Sequence, residues 1–192
     1  MRKIFHRFLT SKRGVAAIEF AMIAPILVFL LLATFDAGRA IAIYIKVRSA
    51  SFTLAAITNQ YTTGNNGIAS ADMTAIAGST TAVFAPYSSA PAVVTISQIK
   101  ETSATNAVVS WSYSVGGTAY AQGASWSKLP SQFTASNACN SYPCYFIFAE
   151  VSYKYTPVFA SFITGTLKLA DNLYAVPRSS VCVQYLSVPG TC

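Results

Sequence analysis

The hydrophobic pattern divides the chain into a continuous apolar run, a helical seam and a set of alternating strands. Residues 15–35, VAAIEFAMIAPILVFLLLATF, are twenty-one residues interrupted by a single charge, Glu19. As a helix rising 1.5 Å per residue, this run is about 31 Å long, matching the roughly 30 Å hydrocarbon core of a bilayer. Beyond it, Ile43, Val47, Ala50, Leu54 and Ile57 recur at alternating spacings of four and three, a stripe suited to packing on another surface. No proline falls between Pro25 and Pro86, and the first strong breaker is Gly64-Asn65-Asn66-Gly67. The pattern predicts one helix from about Val15 to about Asn59, roughly 65 Å long, half in lipid and half emerging. Pro25 removes one backbone donor within the span and predicts a mild bend there.

After the Gly/Asn turn, Ser70 is placed to cap a second helix, with Met73, Ile76, Ala77, Val83 and Phe84 on one face before Pro86 ends it. The texture then changes. Val93–Lys100 is a short strand candidate. Ala107–Val115 alternates, with Val109, Trp111, Tyr113 and Val115 on one face and Ser110, Ser112 and Ser114 on the other. Phe146–Thr156 alternates most clearly: Ile147, Ala149, Val151, Tyr153 and Tyr155 oppose Glu150, Ser152 and Lys154. Leu167–Val176 offers a fourth strand, and the Gly/Ser/Asn-rich connection Gly116–Tyr142 reads as containing exposed loop. The expected fold is α+β, a long N-terminal helix laid on an antiparallel sheet of three or four strands. The expected divisions are a basic leader at 1–14, a transmembrane helix at 15–36, an emerging amphipathic helix at 37–60 and an extracytoplasmic α+β domain at 61–192.

Composition sharpens this division. Hydrophobic residues make up 53% of the 192-residue chain and charged residues 10%, where a soluble domain averages about a quarter charged. Arg2, Lys3, Arg7, Lys12 and Arg13 place five positive charges in the first fourteen residues, leaving eight Lys/Arg against six Asp/Glu in the remainder. Most of the formal +7 therefore belongs to the leader, and the body has no dense basic patch to hold nucleic acid. Five cations precede the span, and only Arg39, Lys46 and Arg48 closely follow it, alongside Asp36. That bias favours a cytoplasmic N-terminus and an extracytoplasmic C-terminal domain. A cleaved signal peptide would have an apolar core of about 7–15 residues and a small-x-small cleavage site, whereas this run is longer and continues into Asp36 and Arg39.

The only histidine is His6, in the leader, so the body cannot build a Ser-His-Asp triad, a Cys-His pair or a His-ligated metal site. Asp72, Glu101, Glu150 and Asp171 are the carboxylates beyond the long helix; their spacing does not suggest convergence, and each reads as a surface residue. Gly116-Gly117 lacks the Gly-Lys-Ser/Thr of a phosphate loop. The expectation is no catalysis, no cofactor, no metal and no small-molecule substrate. Cys139, Cys144, Cys182 and Cys192 all lie in the last third, an even number that suits disulfides in an oxidising compartment. Three pairings are formally possible, and the local one, 139–144 with 182–192, is favoured by the turn-forming inserts between them. Paired zinc knuckles are absent. Asp36 and Arg39 read as the outer boundary of the span, three residues apart and able to pair. Glu19 is different: a carboxylate inside a span is costly and marks a functional position, unless it sits shallowly where water reaches it.

Residues 13–25, RGVAAIEFAMIAP, resemble the N-terminal motif of the TadE-like family, the pseudopilins of tight-adherence (Flp) pilus systems. In that motif a basic leader ends in glycine, a glutamate follows five residues later and an aromatic residue comes next; here these are Gly14, Glu19 and Phe20, with Pro25 also in place. Phe20 stands where tyrosine is frequent. VSYKYTPVFASFITG and the later VPRS are similar to the family's aromatic strand, Pro-containing turn and late Pro-Arg, while the middle of the chain matches weakly. The resemblance implies a pilin-like fold, a span in inner-membrane lipid with the C-terminal domain in the periplasm, and prepilin peptidase cleavage between Gly14 and Val15. It also implies association with other pilins and with pilus assembly platform proteins, as a minor pilin of the TadE or TadF kind. Two other readings remain: a membrane-anchored periplasmic enzyme or binding module, and a secreted soluble domain with a cleaved export signal. The mature N-terminus separates the three.

Overall fold

The computed structural model describes residues 15–103, 105–130 and 142–192. Its first element is a single helix, α1, from Val15 to Thr58, 44 residues and hence about 66 Å long. It is rich in Ala, Leu and Ile and passes through Pro25 and across the expected boundary at 36–37 without interruption. At the C-terminal end the amides of Asn59, Gln60 and Tyr61 bond to the carbonyls of Ala55, Ile57 and Thr58, tightening the last turn. Gly64 then takes a φ of 64°, which a side chain would disfavour, and opens a short 3₁₀ turn, Gly64–Asn66.

The expected second helix is divided in two, α2 (Ser70–Gly78) and α3 (Thr80–Phe84). Ser70 is not its cap. Ala69 takes that position with extended backbone, and Asp72 reaches back to accept the Ala69 amide at 3.2 Å. Ser70, now the first helical residue, instead hydrogen-bonds Ser187 of the C-terminal tail. Met73, Ile76, Ala77 and Phe84 are buried on the expected face, and Phe84 stacks on Tyr153 at 5.3 Å.

Four antiparallel strands follow: β1 (Ala92–Ser103), β2 (Asn106–Val115), β3 (Cys144–Tyr155) and β4 (Leu167–Ala175), in the order β2-β1-β3-β4. β1 is longer than its apolar pattern predicts because it is central. Its polar end, Lys100 to Ser103, is held by pairing with β2, and Lys100 and Glu101 pair with β3 as well. β3 presents Ile147, Ala149, Val151, Tyr153 and Tyr155 to the main core, as its alternation requires. β2 departs from expectation. Gln98 pairs with Trp111 and Ile99 with Val109, so Ser110 is the extra residue of a β-bulge and the alternation changes face there. Trp111 and Tyr113 join the main core with α1, whereas Val109 lies in a second cluster with Ile99, Phe146 and Phe148 on the opposite face.

Residues 116–119 and 121–123 of the connection are exposed as expected, but Trp126, with Tyr120, Ala124 and Leu129 beside it, turns inward and covers that second face. Trp126 is buried, its amide donates to the Ala107 carbonyl at 2.7 Å, and Val109 exchanges backbone bonds with Gly123 and Ala124. The segment thus acts as a short added edge on β2, driven by burial of one large aromatic ring. On the main face, the tail after β4 closes the end of the sheet distant from the lower part of α1. Gln98 is fully buried there, accepting the Val183 amide at 2.6 Å and donating to the Thr191 carbonyl at 2.9 Å, while Trp111 Nε1 donates to Val183.

Candidate assembly and membrane interface

α1 has two different surroundings along its length. From Val15 to Phe35 its large side chains other than the half-buried Leu32 are exposed, Ile18 at 65%, Phe20 at 67% and Leu31 at 69%. The helix is long and apolar enough to cross a membrane, and its most apolar stretch is uncovered by the rest of the protein. Val15, Glu19 and Phe20 all lie in this bare segment, clear of the head, and Gly14 lies outside the described residues. Val15 and Glu19 are one helical turn apart and share a face. Pro25 is the one member of the expected set that the fold brings near the head. It borders an apolar cleft with Val28, Phe29, Leu32, Phe159 and Phe162.

From Asp36 upward the helix is docked. Ile43, Val47, Ala50, Leu54 and Ala55 are buried against the sheet and α2–α3, with Ile57 packed at the margin. The expected pairing of Asp36 with Arg39 is not the main interaction of this carboxylate. Asp36 is buried, and its two oxygens accept the backbone amides of Val158, Phe159 and Ala160 at 2.9, 2.8 and 2.8 Å. Its carbonyl accepts the Tyr155 hydroxyl at 3.1 Å. Phe35 meets Phe159 edge-on at 5.9 Å, and the Arg39 guanidinium lies over the Phe35 ring. A carboxylate buried without protein donors would be strongly unfavourable, and three charge-assisted amide bonds make this site tolerable. Asp36 is therefore a clamp between helix and head. Local pattern could not find it, because its partners are 122–124 residues away.

The carboxylates of the head are separated and occupied. Asp72 holds the start of α2, Asp171 accepts Ser51 of α1 at 3.2 Å, and Glu150 accepts the Tyr120 hydroxyl at 2.9 Å. Asp171 faces α1 while Glu150 faces the Trp126 side, so the sheet lies between them. Glu101 corrects the surface reading, since it is buried at the end of β1. Among the described residues no group of three or more His, Cys, Asp or Glu is placed to hold a metal ion. Around Glu150, Lys128 lies over the Tyr120 and Trp126 rings, and Trp126 Nε1 donates to the Tyr174 hydroxyl at 3.1 Å. Burial pushes the Tyr174 phenol up to about 12 and raises that of Tyr120 with help from Glu150, so both remain hydrogen-bond donors at neutral pH. This is a packed polar cluster that fixes the loop over the sheet. Cys182 and Cys192 are joined by a disulfide that closes the tail, Cys144 is disulfide-bonded, and Cys139 lies outside the described residues.

Residues 14–55 match the family described as TadE-like protein. The match covers the motif at the start of α1 and most of the docked half, and ends before the head begins. No curated protein and no solved structure matches the chain.

Proposed function

Starting from this TadE-like helix, we propose that the chain is a minor pseudopilin-like subunit of a tight-adherence pilus system. In this reading it is anchored once in the inner membrane, with its N-terminus cytoplasmic and its head periplasmic, and it works by association rather than catalysis. The observation that carries the proposal is the bare lower half of α1: an apolar surface exposed around the helix, bearing one carboxylate, Glu19, a turn from Val15. Cleavage after Gly14 by a prepilin peptidase leaves an α-amino group on Val15 that is largely protonated at neutral pH. In lipid, a lone carboxylate and a lone amine are each costly, and pairing between neighbouring subunits rewards one axial register. The apolar face supplies contact area and Glu19 supplies register. The head, stapled at its tail, is the part left to contact other pilins and the assembly platform.

The test has two stages. Mass spectrometry of the purified protein should find Val15 as the mature N-terminus; Met1, or a residue after about 36, supports an unprocessed anchor or a secreted domain instead. Glu19→Ala should then be processed and inserted at normal levels yet fail to cross-link with pilus components or to support fibre formation. Normal piliation by this variant would remove Glu19 from the assembly role.

A further inference from the structure

The loop between β3 and β4 continues the membrane surface of α1. Residues 155–167, YTPVFASFITGTL, carry no charge. Val158, Phe159, Phe162 and Ile163 are exposed, Phe162 at 80%. The loop does not extend away from the helix but runs beside it, toward the N-terminal end. Phe159 and Phe162 share an open apolar cleft of about 430 Å³ with Pro25, Val28, Phe29 and Leu32, which lie in the outer part of the predicted span. A cluster of exposed aromatic and aliphatic side chains at that depth has no partner in the head, and water is an unfavourable one.

Two further observations indicate a lipid environment. Backbone that enters hydrocarbon must satisfy its own amides, and this loop largely does. Val158, Phe159 and Ala160 donate to Asp36, while Ile163, Thr164 and Gly165 donate to the carbonyls of Ala160 and Ser161. Pro157 has no amide to satisfy. At the base of the loop, Lys154 and Lys168 are exposed and directly opposite each other across β3–β4. Like charges in that position repel unless an anion lies nearby, and a phosphate headgroup layer at the foot of an inserted apolar loop supplies one.

We propose that the loop from Pro157 to Leu167 is a second membrane-inserted element, embedded in the outer leaflet beside α1 with Lys154 and Lys168 at the headgroups. The head is then held at a defined height and rotation on the bilayer, not tethered only through the helix. The inference rests on the spanning reading of α1, and the experiment separates the two. Full-length protein carrying a nitroxide at Phe162→Cys, with Ile163→Cys as a second site, is reconstituted in vesicles of phosphatidylethanolamine and phosphatidylglycerol. Phe29→Cys serves as the span control and Ser103→Cys as the control at the far end of the sheet. Oxygen and a water-soluble nickel chelate then compete as relaxing agents. The expected result is an oxygen-to-nickel accessibility ratio at Phe162 and Ile163 several-fold above that at Ser103 and approaching that at Phe29. A ratio equal to Ser103 while Phe29 stays lipid-like overturns the loop proposal alone. Low accessibility to both agents at the loop means it is covered by protein, and also overturns it. A water-like signal at Phe29 overturns the spanning reading itself.

Discussion

The two halves of α1 share one unbroken helix rich in Ala and Ile, yet they relate to the rest of the molecule in opposite ways. Between Asp36 and Thr58, apolar residues at spacings of four and three form one buried stripe, and Tyr44, Ile45 and Phe52 outside it are exposed. Between Val15 and Phe35 the apolar residues lie all around the helix and none is buried by the head. Both halves are helical throughout, so helix formation itself does not separate them. The difference lies in what the side chains are matched to: an amphipathic stripe is matched to a protein surface, and an all-round apolar surface to lipid or to other helices. Asp36 stands at the change. Its carboxylate fastens the β3–β4 loop to the helix through three backbone amides, so the end of the free segment is set by a tertiary contact as well as by hydropathy.

Leu54→Ala against Leu30→Ala is the strongest challenge to that contrast. Leu54 is completely buried, and its truncation should cost about 3 kcal/mol of head stability, within the 2–5 kcal/mol typical of such cavities. Leu30 is 54% exposed, and its truncation should change head stability by no more than about 0.5 kcal/mol. Denaturant unfolding of the full chain in detergent, followed by the fluorescence of Trp111 and Trp126, measures both. Equal losses would erase the distinction between docked and free helix.

Asp36→Ala tests the boundary. Loss of an acceptor for three backbone amides should destabilise the head by about 2 kcal/mol and open the 158–165 loop to proteolysis, with Asp36→Asn falling between the variant and wild type. Unchanged cleavage of this loop in Asp36→Ala would show that the Phe35–Phe159 contact holds it alone.

The smallest effect is expected far from the helix, at the Trp126 side of the sheet. Tyr174 has its pKa raised on folding, to about 12 from an ordinary value of about 10. Its contribution is therefore fully present below about pH 10 and is lost as the pH rises from there toward about 12. Tyr174→Phe should be slightly less stable at neutral pH and should lose less stability over that alkaline window. Tyr120, raised for the same main reason, should retain part of the slope. An identical alkaline loss in wild type and variant would remove Tyr174 from this account.

The long helix, its docking stripe, the presence of four strands and the inward face of β3 were legible because each is a periodic pattern within one segment, and periodicity follows directly from backbone geometry. Candidate residues at the start of α1 were legible for a related reason: Glu19 is conspicuous against an apolar run, and the surrounding motif is short and contiguous. What tertiary structure alone decided depends on residues distant in the chain. The bulge at Ser110 moves Val109 to the other face because β1 and β2 are held in register on both sides of it. Trp126 closes a connection that reads as loop because a hydrophobic face of the sheet lies beneath it. Glu101, polar by composition, is buried because the central strand continues past its apolar segment. Asp36, readable from sequence only as a charge ending a membrane span, becomes a clamp once Val158, Phe159 and Ala160 present their amides to it. A buried carboxylate persists only where folding brings donors to it, and no pattern local to residue 36 encodes where those donors lie.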